Sequence, residues 1–120
     1  MATITPTAAG RVPPDTGVAG DGALFTWTPV TQSDTCVAIE RGSYGDRSVH
    51  VKGTFGSGGT CLIEGSNDNA TFVTLKDSLG NDLSFTAEGI ADVGPAVAYI
   101  RPRISAGTGV SLTIIMFARK

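Results

Sequence analysis

The stretch that decides the fold is SVHVK at Ser48–Lys52, in which polar and apolar residues alternate one by one. A period of two is typical of a β-strand with one buried face, so the two valines are predicted to face a core, and the histidine and the lysine to face solvent. The glycine-rich segment Gly56–Gly59 follows, and strand-like residues return at Thr60–Glu64. This succession predicts a β-hairpin and is the strongest hairpin signal in the chain.

Short segments of the same kind follow one another from residue 23 onward, separated by turns rich in Gly, Pro, Asn and Asp. No stretch has the length or composition of a helix. The predicted strands are Leu24–Thr28, Thr35–Glu40, Ser48–Lys52, Thr60–Glu64, Thr71–Leu75, Leu83–Ala87, Val97–Ile104 and Val110–Ala118. About eight short strands at regular spacing predict an all-β fold, a small antiparallel β-sandwich of jelly-roll or immunoglobulin-like type. Pro102 cannot donate to a ladder, so its strand is predicted to be an edge or to carry a bulge.

The N-terminal segment differs from the remainder of the chain. Residues 1–22 contain three prolines and four glycines but no periodic apolar pattern, so they cannot bury a face by themselves. We expect an extended N-terminal arm at 1–22 and a β-sandwich domain at 23–120. The arm is either a loose tail or a segment that becomes ordered along a neighbouring subunit. Its candidate interaction residues are Ile4, Val12, Pro13 and Pro14.

Charge and hydropathy exclude several classes of partner. The net charge of −2 gives no basic field for nucleic acid. The N-terminus lacks the basic and apolar regions of a secretory signal. The longest apolar run, Ile114–Ala118, is too short to cross a bilayer. We therefore expect a soluble protein made in the cytoplasm, with no direct contact to nucleic acid or membrane.

The residues needed for catalysis or metal binding are not found in a credible arrangement. The chain's one histidine, His50, lies on the predicted solvent face, so no base accompanies a serine or cysteine nucleophile. Most acidic residues fall in turns, where they cap the backbone, and the spacing of a calcium loop is missing. Cys36 and Cys61 are predicted to be reduced core residues. The sequence predicts no enzyme, no metal and no cofactor.

The last predicted strand is apolar on both faces. Leu112, Ile114 and Met116 point one way, and Ile115 and Phe117 point the other. A fully buried central strand explains this pattern, and so does a subunit interface that covers the second face. Ile115 and Phe117 are therefore candidate interaction residues.

The strand before it carries a second candidate surface. Tyr99, Arg101 and Arg103 alternate and so share one strand face. Such a face suits a small anion, a sugar or nucleic acid. Alternatively, this face is exposed to solvent without a ligand, or it forms salt bridges between subunits.

Several segments between Val49 and Lys120 resemble a pattern common in small structural proteins of tailed bacteriophages. The segments are VKGTFG at Val51–Gly56, LIEGSND at Leu62–Asp68, FVTLKD at Phe72–Asp77, IRPRI at Ile100–Ile104 and the closing MFARK at Met116–Lys120. Several members of this group are, or resemble, capsid decoration (cement) proteins, which are small β-sandwich subunits, often trimeric, on the outside of the head.

The resemblance implies a non-enzymatic structural virion protein that binds the major capsid protein and stabilises the assembled head. It also implies a homo-oligomer, with a trimer favoured, located on the capsid surface and synthesised in the host bacterial cytoplasm. The alternative is a tail-associated adhesion or carbohydrate-binding module, since the EGSND turn also resembles carbohydrate-binding sandwiches. Trp27 and Tyr44 are then the best candidates for an exposed aromatic platform.

Overall fold

The computed structural model describes residues 3–9, 22–40, 46–94 and 97–119. These residues contain twelve strands and no helix, and they form a small antiparallel β-sandwich, so the predicted fold class is confirmed. The strands are β1 (Thr3–Ile4), β2 (Thr7–Ala9), β3 (Gly22–Val30), β4 (Thr35–Cys36), β5 (Ile39–Glu40), β6 (Asp46–Thr54), β7 (Ser57–Ser66), β8 (Val73–Thr74), β9 (Ser84–Phe85), β10 (Gly89–Val93), β11 (Tyr99–Thr108) and β12 (Ser111–Arg119). Their number exceeds the eight predicted because several strands are only two or three residues long.

Two antiparallel sheets make up the sandwich. The front sheet has the order β10-β6-β12-β3-β2, and the back sheet has the order β5-β11-β7-β8, with β9 also paired to β7. A small parallel pair of β1 with β4 completes the structure. β12 is the middle strand of the front sheet, although its second face is only half-buried at Ile115 and Phe117.

Four of the five longest strands form one antiparallel ribbon that is folded across both sheets. Its first arm is β6 followed by β7, and its second arm is β11 followed by β12. Thr54 pairs with Ser111 in the front sheet, and Ser57 pairs with Thr108 in the back sheet, so the register is the same on both sides of the bend. The predicted hairpin between β6 and β7 is wrong, because each of these strands pairs with the opposite arm of the ribbon.

Glycines make the bend of the ribbon possible. Gly56 has a φ of +61°, and a Cβ atom there would lie 2.0 Å from the carbonyl oxygen of Thr108. A Cβ at Gly59 would lie 2.0 Å from the carbonyl oxygen of Phe55. Only a residue without a side chain fits such close approaches. The glycine-rich segment is therefore a corner where strands change sheet, not a hairpin loop.

The inward faces of the two sheets share one core. Val49 and Val51 of the front sheet are fully buried, as predicted from their alternation. In β12 the predicted division of faces is confirmed: Leu112, Ile114 and Met116 are buried, whereas Ile115 and Phe117 are only half-buried. Other core residues are Phe25, Trp27, Val30, Ile39, Ile63, Leu75, Leu83, Val93, Ile100, Ile104, Val110 and Ala118.

Proline positions mark two irregularities in the sheets. β3 continues through Pro29, beyond its predicted end at Thr28, because these two residues together lie opposite one residue of β12, a β-bulge. Regular ladder hydrogen bonds are interrupted at a bulge, so the absence of a backbone N–H in proline does not break the pairing there. Among the described residues, β11 pairs with β5 only at Tyr99 and Ile100, so no strand of the described part of the chain pairs with Pro102 on that side. The edge predicted from Pro102 is confirmed, and a bulge follows Ile104.

The first residues of the predicted arm pair with the same chain. β1 lies beside β4, and β2 lies beside β3 at the margin of the front sheet. The carbonyl oxygen of Ile4 accepts a hydrogen bond from the backbone N–H of Val37 at 2.8 Å, and the Ile4 side chain packs against the core. Ile4 thus contributes to its own fold, and its contact with a partner stays a prediction. Val12, Pro13 and Pro14 lie outside the described residues.

Candidate interaction surfaces

The outer face of the back sheet carries the arginines singled out in the sequence. In the β11–β7 ladder, Tyr99 is opposite Ser66, and Arg101 is opposite Glu64. The intervening Ile100 is buried, as a period of two requires. The prediction that Tyr99, Arg101 and Arg103 share one strand face is therefore confirmed.

Both arginines bind a single carboxylate. Arg101 Nε donates to Oε1 of Glu64 at 3.3 Å, and Arg103 Nε donates to Oε2 at 2.6 Å. Glu64 is only 5% exposed, whereas the side chains of Arg101 and Arg103 are 26% and 47% exposed. Each pair contributes about 1 kcal/mol or less, because solvent screens the arginines. The cluster pairs two positive charges with one negative charge.

An aromatic ring supports this cluster. The guanidinium of Arg101 lies 3.8 Å from the centroid of the Phe72 ring, a cation–π contact. We call Arg101, Arg103, Glu64 and Phe72 the arginine cluster. Sequence reasoning did not find Glu64 or Phe72, because strand alternation shows which residues share a face but not which strands are neighbours. The acid–base complementarity of Glu64 with the two arginines was the available signal.

The outer face of the front sheet has a different chemistry. On β12, Ile115 lies between Thr26 and His50, and His50 in turn pairs with Ile90 of β10. Ile90 is 67% exposed. His50, half-buried, faces outward between apolar neighbours, which agrees with the face predicted for it.

A second row of the same face adds two apolar side chains. Phe117 pairs with Leu24, and both are half-buried and lie outside the core cluster. We call Leu24, Ile90, Ile115 and Phe117 the apolar patch. The outward side of an antiparallel sheet is commonly polar, so a patch of this kind on β12 and its neighbours indicates a surface suited to burial against another molecule.

The predicted aromatic platform is wrong at Trp27. This side chain is fully buried on the inward face of β3, and its indole N–H donates to the carbonyl oxygen of Val37 at 2.8 Å. The alternation of β3 places Phe25 and Trp27 on the same inward face, because they are two residues apart. Tyr44 lies outside the described residues.

Two aspartates have the turn-capping role predicted for them. Oδ1 of Asp68 accepts the backbone N–H groups of Ala70 and Thr71, each at 2.9 Å, and a hydrogen bond from the Ser66 hydroxyl at 2.6 Å. The Ser66 hydroxyl first, and then these N–H groups, lower the pKa of Asp68 to about 2. Asp77 organises its turn in the same way, and the backbone of Asn81 is the main cause of its lowered pKa.

The two cysteines are buried free thiols of the shared core, in accordance with the prediction of reduced core residues. Burial is the main cause that raises the pKa of Cys36 and of Cys61 from 9.0 to about 12. The charge of the Cys36 thiolate also raises the pKa of Cys61.

Within the four described stretches, no three His, Cys, Asp or Glu side chains converge as metal ligands, and no cleft of small-molecule size is present. The same stretches contain no helix of the length and apolar character that a membrane span requires. Comparison of the chain with protein-family models, with curated proteins and with solved structures finds no match.

Proposed function

We propose that this chain is a non-enzymatic structural protein of a tailed-phage virion, a capsid decoration protein that binds and stabilises the assembled head. The observation that carries the proposal is the apolar patch on the outer face of the front sheet. Three of its residues lie on the two adjacent central strands β3 and β12, and Ile90 extends it to the edge strand β10.

The patch supports assembly because apolar surface gains free energy when it leaves water, about 25 cal/mol for each Å² buried. We assign it to contact between copies of the chain in a homo-oligomer, with a trimer favoured. A closed oligomer presents several identical capsid-binding surfaces, so weak contacts with the major capsid protein add up through avidity.

The folded ribbon also suits a decoration protein. Its two arms contain most of the segments that resemble small structural proteins of tailed phages, including most of Val51–Gly56, Ile100–Ile104 and most of Met116–Lys120. Because both arms of the ribbon pass from one sheet to the other in one register, the sheets are joined by two paired chain connections as well as by the shared core. Such a scaffold resists local opening.

The oligomer is tested by light scattering behind a sizing column, with wild type and an Ile115→Lys variant. We expect a trimer for wild type and a monomer for the variant, because a lysine on the outer face costs little in the free chain but cannot be covered by an apolar neighbour. Val73→Lys is the matched control, since Val73 is an exposed apolar residue of the back sheet. Dissociation by both variants, or by neither, contradicts the assignment of the patch.

Capsid binding is tested by sedimenting the purified protein with preassembled, expanded heads, followed by heat or chelator challenge. We expect co-sedimentation and more resistant heads. Binding to a glycan array without binding to heads moves the assignment to a tail-associated adhesion or carbohydrate-binding module. The buried position of Trp27 argues against that alternative, because it removes one of its two candidate platform residues.

A further inference from the structure

We propose that Arg101 and Arg103 form a binding site for one oxyanion, a phosphate or a carboxylate group, on the outer face of the back sheet. This site goes beyond the proposed function, since it lies on the sheet opposite to the apolar patch. Its ligand is the chemical group itself, whether free or part of a larger molecule.

The first support is the way the two arginines are held. Each binds Glu64 through Nε alone. Their terminal Nη groups make no hydrogen bond to the described residues. A guanidinium presents its donors as a planar fork that matches an oxyanion. Because both Nε atoms donate to one carboxylate, the two guanidinium groups flank Glu64 and keep their Nη donors for a ligand.

The second support is preorganisation. Glu64 is almost fully buried and fixes the middle of both side chains, while Phe72 stacks under the guanidinium of Arg101. Two long side chains normally lose rotamer freedom when they bind a ligand. Here Glu64 and Phe72 already restrict that freedom through contacts within the chain.

The third support is the charge balance. Two guanidinium groups face one carboxylate, which leaves one positive charge in excess. The residues paired beside them on β7 and β8, Leu62, Ser66 and Thr74, are uncharged, whereas Glu40 of β5 pairs with Tyr99 on the other side of β11. By contrast, Lys76 and Asp82 form a one-to-one pair elsewhere on the surface. A single anion therefore neutralises the arginine cluster, although the chain as a whole carries a net charge of −2.

The test follows the Nε–H resonances of the arginines by NMR while the folded protein is titrated. Sodium phosphate and sodium acetate are the two probes, and sodium chloride at equal ionic strength is the reference. We expect saturable shifts at Arg101 and Arg103 with at least one probe. The probe with the lower dissociation constant shows whether the site prefers phosphate or carboxylate.

Variants decide whether the site is specific. Arg103→Gln removes one fork from a half-exposed position, so the fold is retained. We expect it to weaken binding about tenfold, as followed at Arg101, because hydrogen bonds to charged groups are strong. Lys76→Gln removes the same charge at a distance and should leave the affinity unchanged. Non-saturable shifts, equal shifts with chloride, or equal weakening by both variants would overturn the proposal.

Discussion

The two outer faces of the sandwich are built largely from the same ribbon, yet their chemistry is opposite. The front half of the ribbon presents Ile115 and Phe117, and the back half presents Arg101 and Arg103 with Glu64 between them. On the back face Glu64 neutralises one of the two arginine charges, whereas the apolar groups of the front face gain free energy only when another molecule covers them. This difference is the basis on which we propose the front face for assembly and the back face for binding of a small anion.

The largest effect should come from breaking the bend that separates the two faces. Gly56→Ala places a Cβ atom against the carbonyl oxygen of Thr108, which is backbone and cannot move aside alone. We expect a loss of about 4 kcal/mol in the free energy of unfolding, measured with urea.

Gly58→Ala is the control for the bend. Gly58 has a similar positive φ of +68°, but no atom lies within 4 Å of the place that a Cβ atom would occupy there. This variant should lose only about 1 kcal/mol, which is the cost of the left-handed conformation. Equal losses in the two variants would show that backbone conformation, rather than the close approach of the two arms, determines the need for glycine.

A smaller effect should separate the inner and outer faces of β12. Ile114→Ala removes a fully buried side chain, and we expect a loss of about 3 kcal/mol. Ile115→Ala at the next position should cost about 1 kcal/mol or less at concentrations where the protein is monomeric, because Ile115 is half-buried. Thermal unfolding measures both changes. A loss well above 1 kcal/mol for Ile115→Ala would mean that the outer face of β12 contributes to the stability of the single chain.

On the back face, Glu64→Gln should destabilise the protein by about 1–2 kcal/mol. The change removes the charge that both arginines share, although their exposure limits the loss. Asp82→Asn is the control, since it breaks the exposed pair with Lys76 and should cost about 0.5 kcal/mol or less. Urea unfolding at low and high salt distinguishes the two. If both variants lose the same free energy of unfolding, the burial of Glu64 does not strengthen its ion pairs.

The smallest effect at neutral pH concerns the core that both faces share. In the unfolded chain the thiols of Cys36 and Cys61 ionise near pH 9.0, whereas in the folded chain their pKa is raised to about 12. The folded state therefore keeps its thiol protons longer, and stability should fall as the pH rises above 9. The loss is about 1 kcal/mol per thiol at pH 10.

Urea unfolding between pH 7.5 and 10 measures this loss. A Cys36→Ala, Cys61→Ala double variant is the reference, because its other titrating groups are the same as those of wild type. Its stability should fall less steeply with pH. Equal slopes in the two proteins would mean that the thiols are more accessible than their burial indicates.

Local patterns were sufficient to predict the fold class and the faces of individual strands. The alternation at Val49 and Val51, the two-sided character of β12 and the edge at Pro102 all depend on residues close in sequence. The sequence also predicts a turn at Gly56–Gly59, but it does not show that this turn leads from one sheet to the other. A hairpin and a corner between sheets use the same flexible residues, and the difference lies in which distant strand is the partner.

The candidate sites, too, are predictable only as far as residues close in sequence determine them. The shared face of Tyr99, Arg101 and Arg103 follows from their spacing alone, but Glu64 lies on another strand, and its position opposite Arg101 depends on a long-range register. The position of Trp27 follows from a local signal. The alternation of Leu24–Thr28 places Trp27 on the same face as Phe25, and this period is a stronger signal of burial than the aromatic character is of exposure.

The continuous register of the ribbon also has a consequence for how the chain folds. Ser66 and Tyr99 are the paired residues of the ribbon that lie closest along the chain, so we expect pairing to begin there and to extend one pair at a time. The loop between the two arms is then closed by the first pair, and the later pairs add little further cost in loop entropy. We expect the back sheet to form first and the pairing of Asp46 with Arg119 to form last. The apolar patch is then completed only at the end of folding, which limits association between chains that are not yet native.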